Sequence, residues 1–110
     1  MVKTIFRTPM DVIATAKSLG ASLKLARKRR RMTQADVALR LNIAREVVIN
    51  AENGLPVTSH NLLSILWLYG LLFQMANAVS DDKDVVGLSL ETSALPERVR
   101  NKLRRDDDEF

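Results

Sequence analysis

The chain has 110 residues, 46% hydrophobic and 27% charged, values of one small globular domain with short appendages that exclude collagen, wholesale disorder and a membrane bundle. Cysteine is absent, which removes disulfides, thiolate zinc sites, iron–sulfur clusters and a cysteine nucleophile together. A net charge of +4 points toward a polyanion partner, most often nucleic acid, with a solvated charged face as the alternative.

That charge is unevenly placed. Through Val79 there are 11 Lys and Arg against 4 Asp and Glu, whereas Ser80 to Phe110 has 6 against 9. The body is basic and the tail acidic. The single histidine, His60, offers no pair for a metal and argues against acid–base catalysis. No enzyme activity, metal or cofactor is expected. The apolar stretch Leu62 to Phe73 is interrupted by Ser64 and Gly70 and is shorter than the roughly 20 residues that cross a bilayer. The opening MVKTIFRTPMD lacks a signal-peptide core. A cytoplasmic, nucleoid-associated protein without membrane contact is expected.

In chain order, Thr8-Pro9-Met10-Asp11 reads as a helix start, with Thr as cap and Pro at the first helical position. Val12, Ala16, Leu19, Leu23 and Ala26 recur at steps of four and three, the stripe of a helix reaching about Arg31. Gly20 costs about 1 kcal/mol relative to Ala, which leaves room for a kink or a break there. Lys17, Lys24, Lys28 and Arg31 share another side. Thr33-Gln34-Ala35-Asp36 repeats the capping pattern before a short second helix with Val37, Ala38 and Leu41 inward. Asn42 ends it in a turn that tolerates left-handed backbone. A third helix runs from about Arg45 to Asn53 with Val48 and Ala51 inward. Thr58 or Ser59 caps a fourth, carrying Leu62, Leu63, Ile65, Leu66 and Leu68 to Gly70. Leu71 to Val79 is helical again. Val85 to Leu90 alternates weakly and is expected as a short strand that needs a partner, such as the same segment of a second subunit. The tail beyond Pro96 is expected to be flexible and charged. The expected organisation is all-α, with a DNA-binding domain over residues 8–79 and a strand and tail over 80–110.

The densest functional signal is Gln34 to Asn53. Counting from Gln34, Ala38 stands fifth, Asn42 ninth, Val48 fifteenth and Ala51 eighteenth. These are a small residue at a helix crossing, a turn residue and two apolar residues beneath the second helix. The run TQADVALRLNIAREVVINAENG resembles the Cro/repressor-type (XRE) helix-turn-helix family, with likeness from about Leu19 to Leu71. That resemblance implies a five-helix, lambda-repressor-like domain, dimeric on operator DNA, with its third helix in the major groove. It implies base contacts from Arg45, Glu46 and Asn50, with Val47 and Ile49 close by. It also implies phosphate contacts from Gln34, Thr33, Arg31, Lys28, Ser59 and His60. Arg27 and Glu52 match a pair joining the first and third helices, and Leu71, Leu72, Phe73 and Met75 stand where the family's dimer surface lies.

Two positions depart from the family pattern. Ala44 replaces a Ser or Thr cap, which removes about 1 kcal/mol of helix-end stabilisation. Ile49 occupies a usually polar position, where it meets either a thymine methyl or a neighbouring subunit or helix. The flanks, a Thr8-Pro9 helix start, ARKRRRMTQADVALR, D-x-x-G-L-x-L and LPERVR, are similar to HipB-like regulators encoded beside HipA-like Ser/Thr kinase toxins. This likeness implies an autorepressor that binds a palindromic operator and joins the kinase. A free-standing XRE repressor and a protein-interaction module without DNA binding are the alternative readings.

Overall fold

The computed structural model describes residues 9–93. It is all-helical over that range, without a strand. Helix α1 spans Met10–Arg29. Pro9, extended at φ −62 and ψ 150, sits one place before the helix, and its carbonyl accepts from the N–H groups of Val12 and Ile13. Thr8, the expected cap, lies outside the described residues. The helix ends two residues before Arg31, which adopts φ 56. There the Met32 N–H returns to Arg27 O at 3.3 Å and carries Met32 into the core, a closure in which a residue past the turn packs back on the last helical turn.

Gly20 neither kinks nor breaks α1. A Cβ at that position would lie 2.5 Å from Glu52 O and 2.7 Å from Ala51 O, so Gly20 is where the end of α3 crosses against α1. Helix α3 spans Arg45–Glu52. The inward stripe of α1 is correspondingly shorter than the periodicity suggests. Leu23 and Ala26 are buried, whereas Val12 and Leu19 are exposed.

Helix α2 spans Gln34–Leu41 and opens on a reciprocal cap: Thr33 Oγ1 accepts from Asp36 N, and Asp36 Oδ2 accepts from Thr33 N. It closes at Asn42 in the left-handed conformation, φ 56 and ψ 48, while the Ile43 N–H donates to Ala38 O. Two residues later α3 begins at Ala44, extended and without a side-chain cap. Helix α4, Ser59–Leu68, is capped by Thr58, whose Oγ1 accepts from Asn61 N. Its Ile65 and Leu66 are buried, Leu62 and Leu68 half-buried, and Leu63 faces outward. Leu23, Val37, Val48 and Ile65, one from each of the first four helices, are the largest fully buried side chains. Met32 and Tyr69 complete the same core.

The chain divides into two compact units between Phe73 and Gln74, within helix α5, Leu72–Ala78. After a 3-10 turn at Asp81–Lys83, helix α6 occupies Val85–Ser93. The expected strand at Val85 to Leu90 is therefore a helix. Asp84 explains the correction: its Oδ1 accepts from Gly87 N and its carbonyl from Leu88 N, which nucleates a helix. A helix satisfies its own backbone, whereas a lone strand leaves its N–H and C=O groups unpaired. No side chain of α5, the 3-10 turn or α6 is buried. The charged tail from residue 94 lies outside the described residues.

The two glycines Gly20 and Gly70 should respond oppositely to space and to backbone strain. Gly20→Ala gains about 1 kcal/mol in helix propensity but drives a methyl into backbone carbonyls that have nowhere to move, for a net loss of about 2–3 kcal/mol. Gly70 has φ 77 and nothing within 4 Å of an added Cβ, so Gly70→Ala should cost only about 1 kcal/mol of left-handed strain. Urea denaturation of both variants checks the order; a Gly20→Ala protein as stable as the parent would mean that α1 and α3 do not cross this closely.

Candidate nucleic-acid interface

The surface of α3 is only as well defined as the contacts that hold its buried side. Arg27, near the end of α1, is 7% exposed, and Glu52, the last residue of α3, is 8% exposed. The Arg27 Nε donates to Glu52 Oε2 at 2.6 Å and Nη2 donates to Glu52 Oε1 at 3.1 Å. Nη1 donates to Met32 O at 2.8 Å, so each guanidinium nitrogen has an acceptor. Glu52 Oε1 also accepts from Gln34 Nε2 at 3.1 Å. The pair therefore ties together the end of α1, the start of α2 and the end of α3. It is the expected structural pair, with Gln34 as a third member that the sequence pattern does not reveal.

The charges answer to this packing. Burial pushes the Glu52 carboxyl up, but hydrogen bonds from Arg27 and Gln34 and the charges of Arg27 and Lys24 outweigh it and hold it below the ordinary carboxylate value. The hydrogen bond to Glu52 raises Arg27 against the opposing effect of burial. Tyr69 is buried beside this pair without joining its hydrogen bonds, since its hydroxyl has no partner among the described residues, and its phenol is pushed up to about 12, first by burial and then by Glu52. Arg30 is turned toward Tyr69: it donates to Ala26 O and Tyr69 O and stacks over the Tyr69 ring, 5.6 Å from its centre. Arg30 stays exposed, but its guanidinium is thereby held by two carbonyls, although its place in the basic run suggests a phosphate contact.

With Val48, Ala51 and Glu52 facing in, the 3.6-residue period turns Glu46, Asn50 and Asn53 outward, with Val47 and Ile49 on the flanks. Arg45 and Glu46 are exposed; Val47, Ile49 and Asn50 are half-buried. Asn53 is an exposed member of this face that the sequence reading omits; helical spacing from Glu46 and Asn50 identifies it. Lys28, Arg31, Thr33, Ser59 and His60 are exposed, and Gln34 is half-buried. Arg31, Thr33 and Gln34 are gathered by the turn between α1 and α2. The Thr33 backbone N–H is spent on Asp36 and its hydroxyl accepts from the same residue, which leaves the hydroxyl proton free to donate. Ser59 and His60 form the first turn of α4, whose free N–H groups and positive dipole end suit an anion. Among the described residues Arg27 and Glu52 form the one ion pair, so Lys28, Arg31 and Arg45 have no carboxylate partner there. Of the residues expected at a dimer surface, Leu71 and Leu72 pack against the core, while Phe73 and Met75 are exposed.

Among the described residues no group of three or more His, Asp or Glu side chains is placed to hold a metal, and no helix is long and apolar enough to cross a membrane. No protein-family model matches the chain, and no curated protein matches it. The arrangement is an exposed helix with mixed hydrogen-bonding groups, flanked by cations without a carboxylate partner among the described residues and anchored by a buried ion pair.

Glu52→Gln leaves the Arg27 charge buried without its counterion and should cost about 3–5 kcal/mol. Because the Glu52 carboxyl is held below its ordinary value, its contribution is complete above about pH 4.3 and is lost as pH falls through the folded value. Asp36, lowered by the hydrogen bond from the Thr33 backbone, titrates in both proteins. The stability gap between parent and Glu52→Gln, followed by urea denaturation from pH 7 downward, should therefore narrow below about pH 4.3. A gap independent of pH would show that the charge of Glu52 is not what holds the helices.

Proposed function

We propose that this chain is a sequence-specific DNA-binding transcriptional autorepressor of the XRE helix-turn-helix type, acting as a dimer on a palindromic operator. The observation that carries this reading is the α2–turn–α3 unit: two short helices joined through left-handed Asn42, with the outward face of the second anchored from behind by Arg27 and Glu52. A helix held in this way can enter the major groove with its side chains set against base edges. Arg45 donates two bonds to guanine, Glu46 accepts from cytosine, and Asn50 pairs with adenine. Lys28, Arg31, Thr33, Gln34, Ser59 and His60 hold the phosphates on either side. Ile49, half-buried on the edge of the helix, meets a thymine methyl in this reading or packs against a neighbouring subunit or helix.

The wider reading is that of a HipB-like component of a toxin–antitoxin operon, associated with a HipA-like Ser/Thr kinase. It is supported by the flanking sequence, Thr8-Pro9 at one end and LPERVR at the other. Co-purification from native extract, with bound DNA and bound protein both identified, tests operator and kinase in one experiment.

Titration of labelled DNA from upstream of the gene should show Arg45→Ala and Asn50→Ala each losing about 1–3 kcal/mol and relaxing sequence preference at one position. Unchanged affinity and preference in both would remove α3 as the reading helix. Arg31→Gly separates binding from folding. Gly suits the φ 56 backbone, so stability should hold or rise by up to about 1 kcal/mol while DNA affinity falls. The logarithm of the binding constant should also fall with the logarithm of salt concentration by about 0.9 per phosphate neutralised. The contributors are Lys28, Arg31 and Arg45, and Arg30→Ala should leave the slope unchanged. A flat salt dependence would take the basic residues out of the interface.

A further inference from the structure

Asn53 ends α3 as its C-terminal cap, at φ −95 and ψ 4, and its exposed side chain continues the outward face that carries Glu46 and Asn50. The residue after it has to be glycine. Gly54 runs at φ 75, and a Cβ there would lie 2.8 Å from the Cα of Lys17 and 2.9 Å from its N, so any side chain would push the end of α3 off α1. Every other Asn of the chain precedes a residue with a Cβ, namely Ile43, Ala51, Leu62, Ala78 and Lys102. Asn53–Gly54 is the one place where an Asn amide adjoins a backbone nitrogen that no side chain shields.

We propose that Asn53 is a site of spontaneous deamidation, and that its conversion releases the chain from DNA. The backbone nitrogen of Gly54 attacks Cγ of Asn53 and forms a C–N bond there, while the bond from Cγ to the side-chain nitrogen breaks. The proton lost by the Gly54 nitrogen is balanced by the one the leaving nitrogen gains, and ammonia departs. Water then opens the cyclic imide: cleavage at the side-chain carbonyl leaves aspartate, and cleavage at the backbone carbonyl leaves isoaspartate. Nothing is oxidised or reduced, and water is the one co-reactant. The fold governs the rate, because the Gly54 N–H donates to Ala51 O at 3.2 Å and that bond has to open before the nitrogen turns onto Cγ. The opening stays local. Glu52, the residue before Asn53, is held by Arg27, so the end of α3 frays without freeing the helix.

Either product places a carboxylate on the outward face of α3. Aspartate keeps the backbone and sets a like charge against DNA phosphates. Isoaspartate also adds a methylene to the main chain where Gly54 packs against Ala16 and Lys17, so α3 loses its fit on α1. Bound operator covers Asn53 and holds the turn shut, which makes unoccupied copies convert first. This consequence rests on the DNA-binding reading, whereas the chemistry of the site does not.

The full chain is incubated without DNA in mildly alkaline buffer, and its peptides are followed by mass spectrometry and by enzymatic methylation of isoaspartate. The mass gain of an amide becoming an acid should appear at Asn53 ahead of Asn42, Asn50, Asn61 and Asn77, and faster at higher pH, since the attacking nitrogen has to lose its proton. Glu52→Gln, which loosens the end of α3, should speed conversion several-fold, and saturating operator DNA should slow it several-fold. Asn53→Asp should fold as the parent does and bind operator at least about tenfold more weakly. Asn53→Gln cannot close the same ring, so it should lose none of its own starting affinity on incubation. An Asn53 still intact in the folded chain when urea-denatured copies have converted overturns the site, and an Asn53→Asp variant that binds operator as tightly as the parent overturns the switch. The two readings fail separately. Conversion at Asn53 in a chain that never binds operator upholds the site and sinks the DNA reading, and operator binding by a chain whose Asn53 never converts sinks only the site.

Discussion

The bidentate contact between Arg27 and Glu52 is the constraint on which the arrangement of α1, α2 and α3 depends. Both groups are removed from water, at a desolvation cost that only good geometry and satisfied hydrogen bonds offset. The structure meets that condition: three guanidinium nitrogens have acceptors, and one carboxylate oxygen has a second donor in Gln34. Apolar packing among Leu23, Val37, Val48 and Ile65 supplies the attraction between helices but tolerates small rotations. A buried ion pair does not, because a rotation of α3 that parted the two groups would strand both charges. The outward angle of Glu46 and Asn50 is thus set from the opposite side of their helix.

Gly20 and Gly54 make that contact sterically attainable. Gly20 admits the carbonyls of Ala51 and Glu52 against α1, and Gly54, at φ 75, lets the chain leave α3 against the backbone of Ala16 and Lys17. Side chains at either place would move the end of α3 away from α1 and lengthen the ion pair. Lys17 and Lys24 on this stretch of α1 also lie toward the carbonyl end of α3, where positive charge is favourable.

The run from Arg27 to Arg31 shows how far apart neighbouring residues of one type can be in role. Arg27 is buried in the ion pair, Arg30 fastens α1 to Tyr69, and Lys28, Arg29 and Arg31 face water. Helical spacing brings Arg27 onto the side of Leu23 and Ala26, but spacing alone does not distinguish a buried arginine from one whose stem only borders the core. The acceptors decide: Met32 O and Tyr69 O become available because Arg31 turns left-handed and α4 ends beneath α1. Neither feature has a strong local signature, since Arg rarely takes that conformation and a lone Tyr before a Gly is compatible with many environments.

What is local in origin was legible in advance. The reciprocal Thr33–Asp36 cap, the left-handed turn at Asn42, the uncapped start at Ala44 and the inward residues Val37, Ala38, Val48 and Ala51 follow from turn chemistry and period, which act over a few residues. The Arg27–Glu52 pair was legible only through resemblance. The strand expected at Val85 to Leu90 failed because alternation over six residues is weaker than one carboxylate capping a helix at Asp84, and because a strand requires a partner that a short sequence cannot promise. The length of the exposed apolar stripe at Val12 and Leu19, the role of Gly20 as a crossing point, the outward placement of Leu63 and Trp67 and the capture of Arg30 by two carbonyls belong to tertiary structure. Each depends on which backbone arrives from elsewhere in the chain. Sequence determined the helices and their ends, because caps and periodicity are short-range; only packing decided which faces of those helices meet, because burial and unpaired charge are properties of the assembled fold.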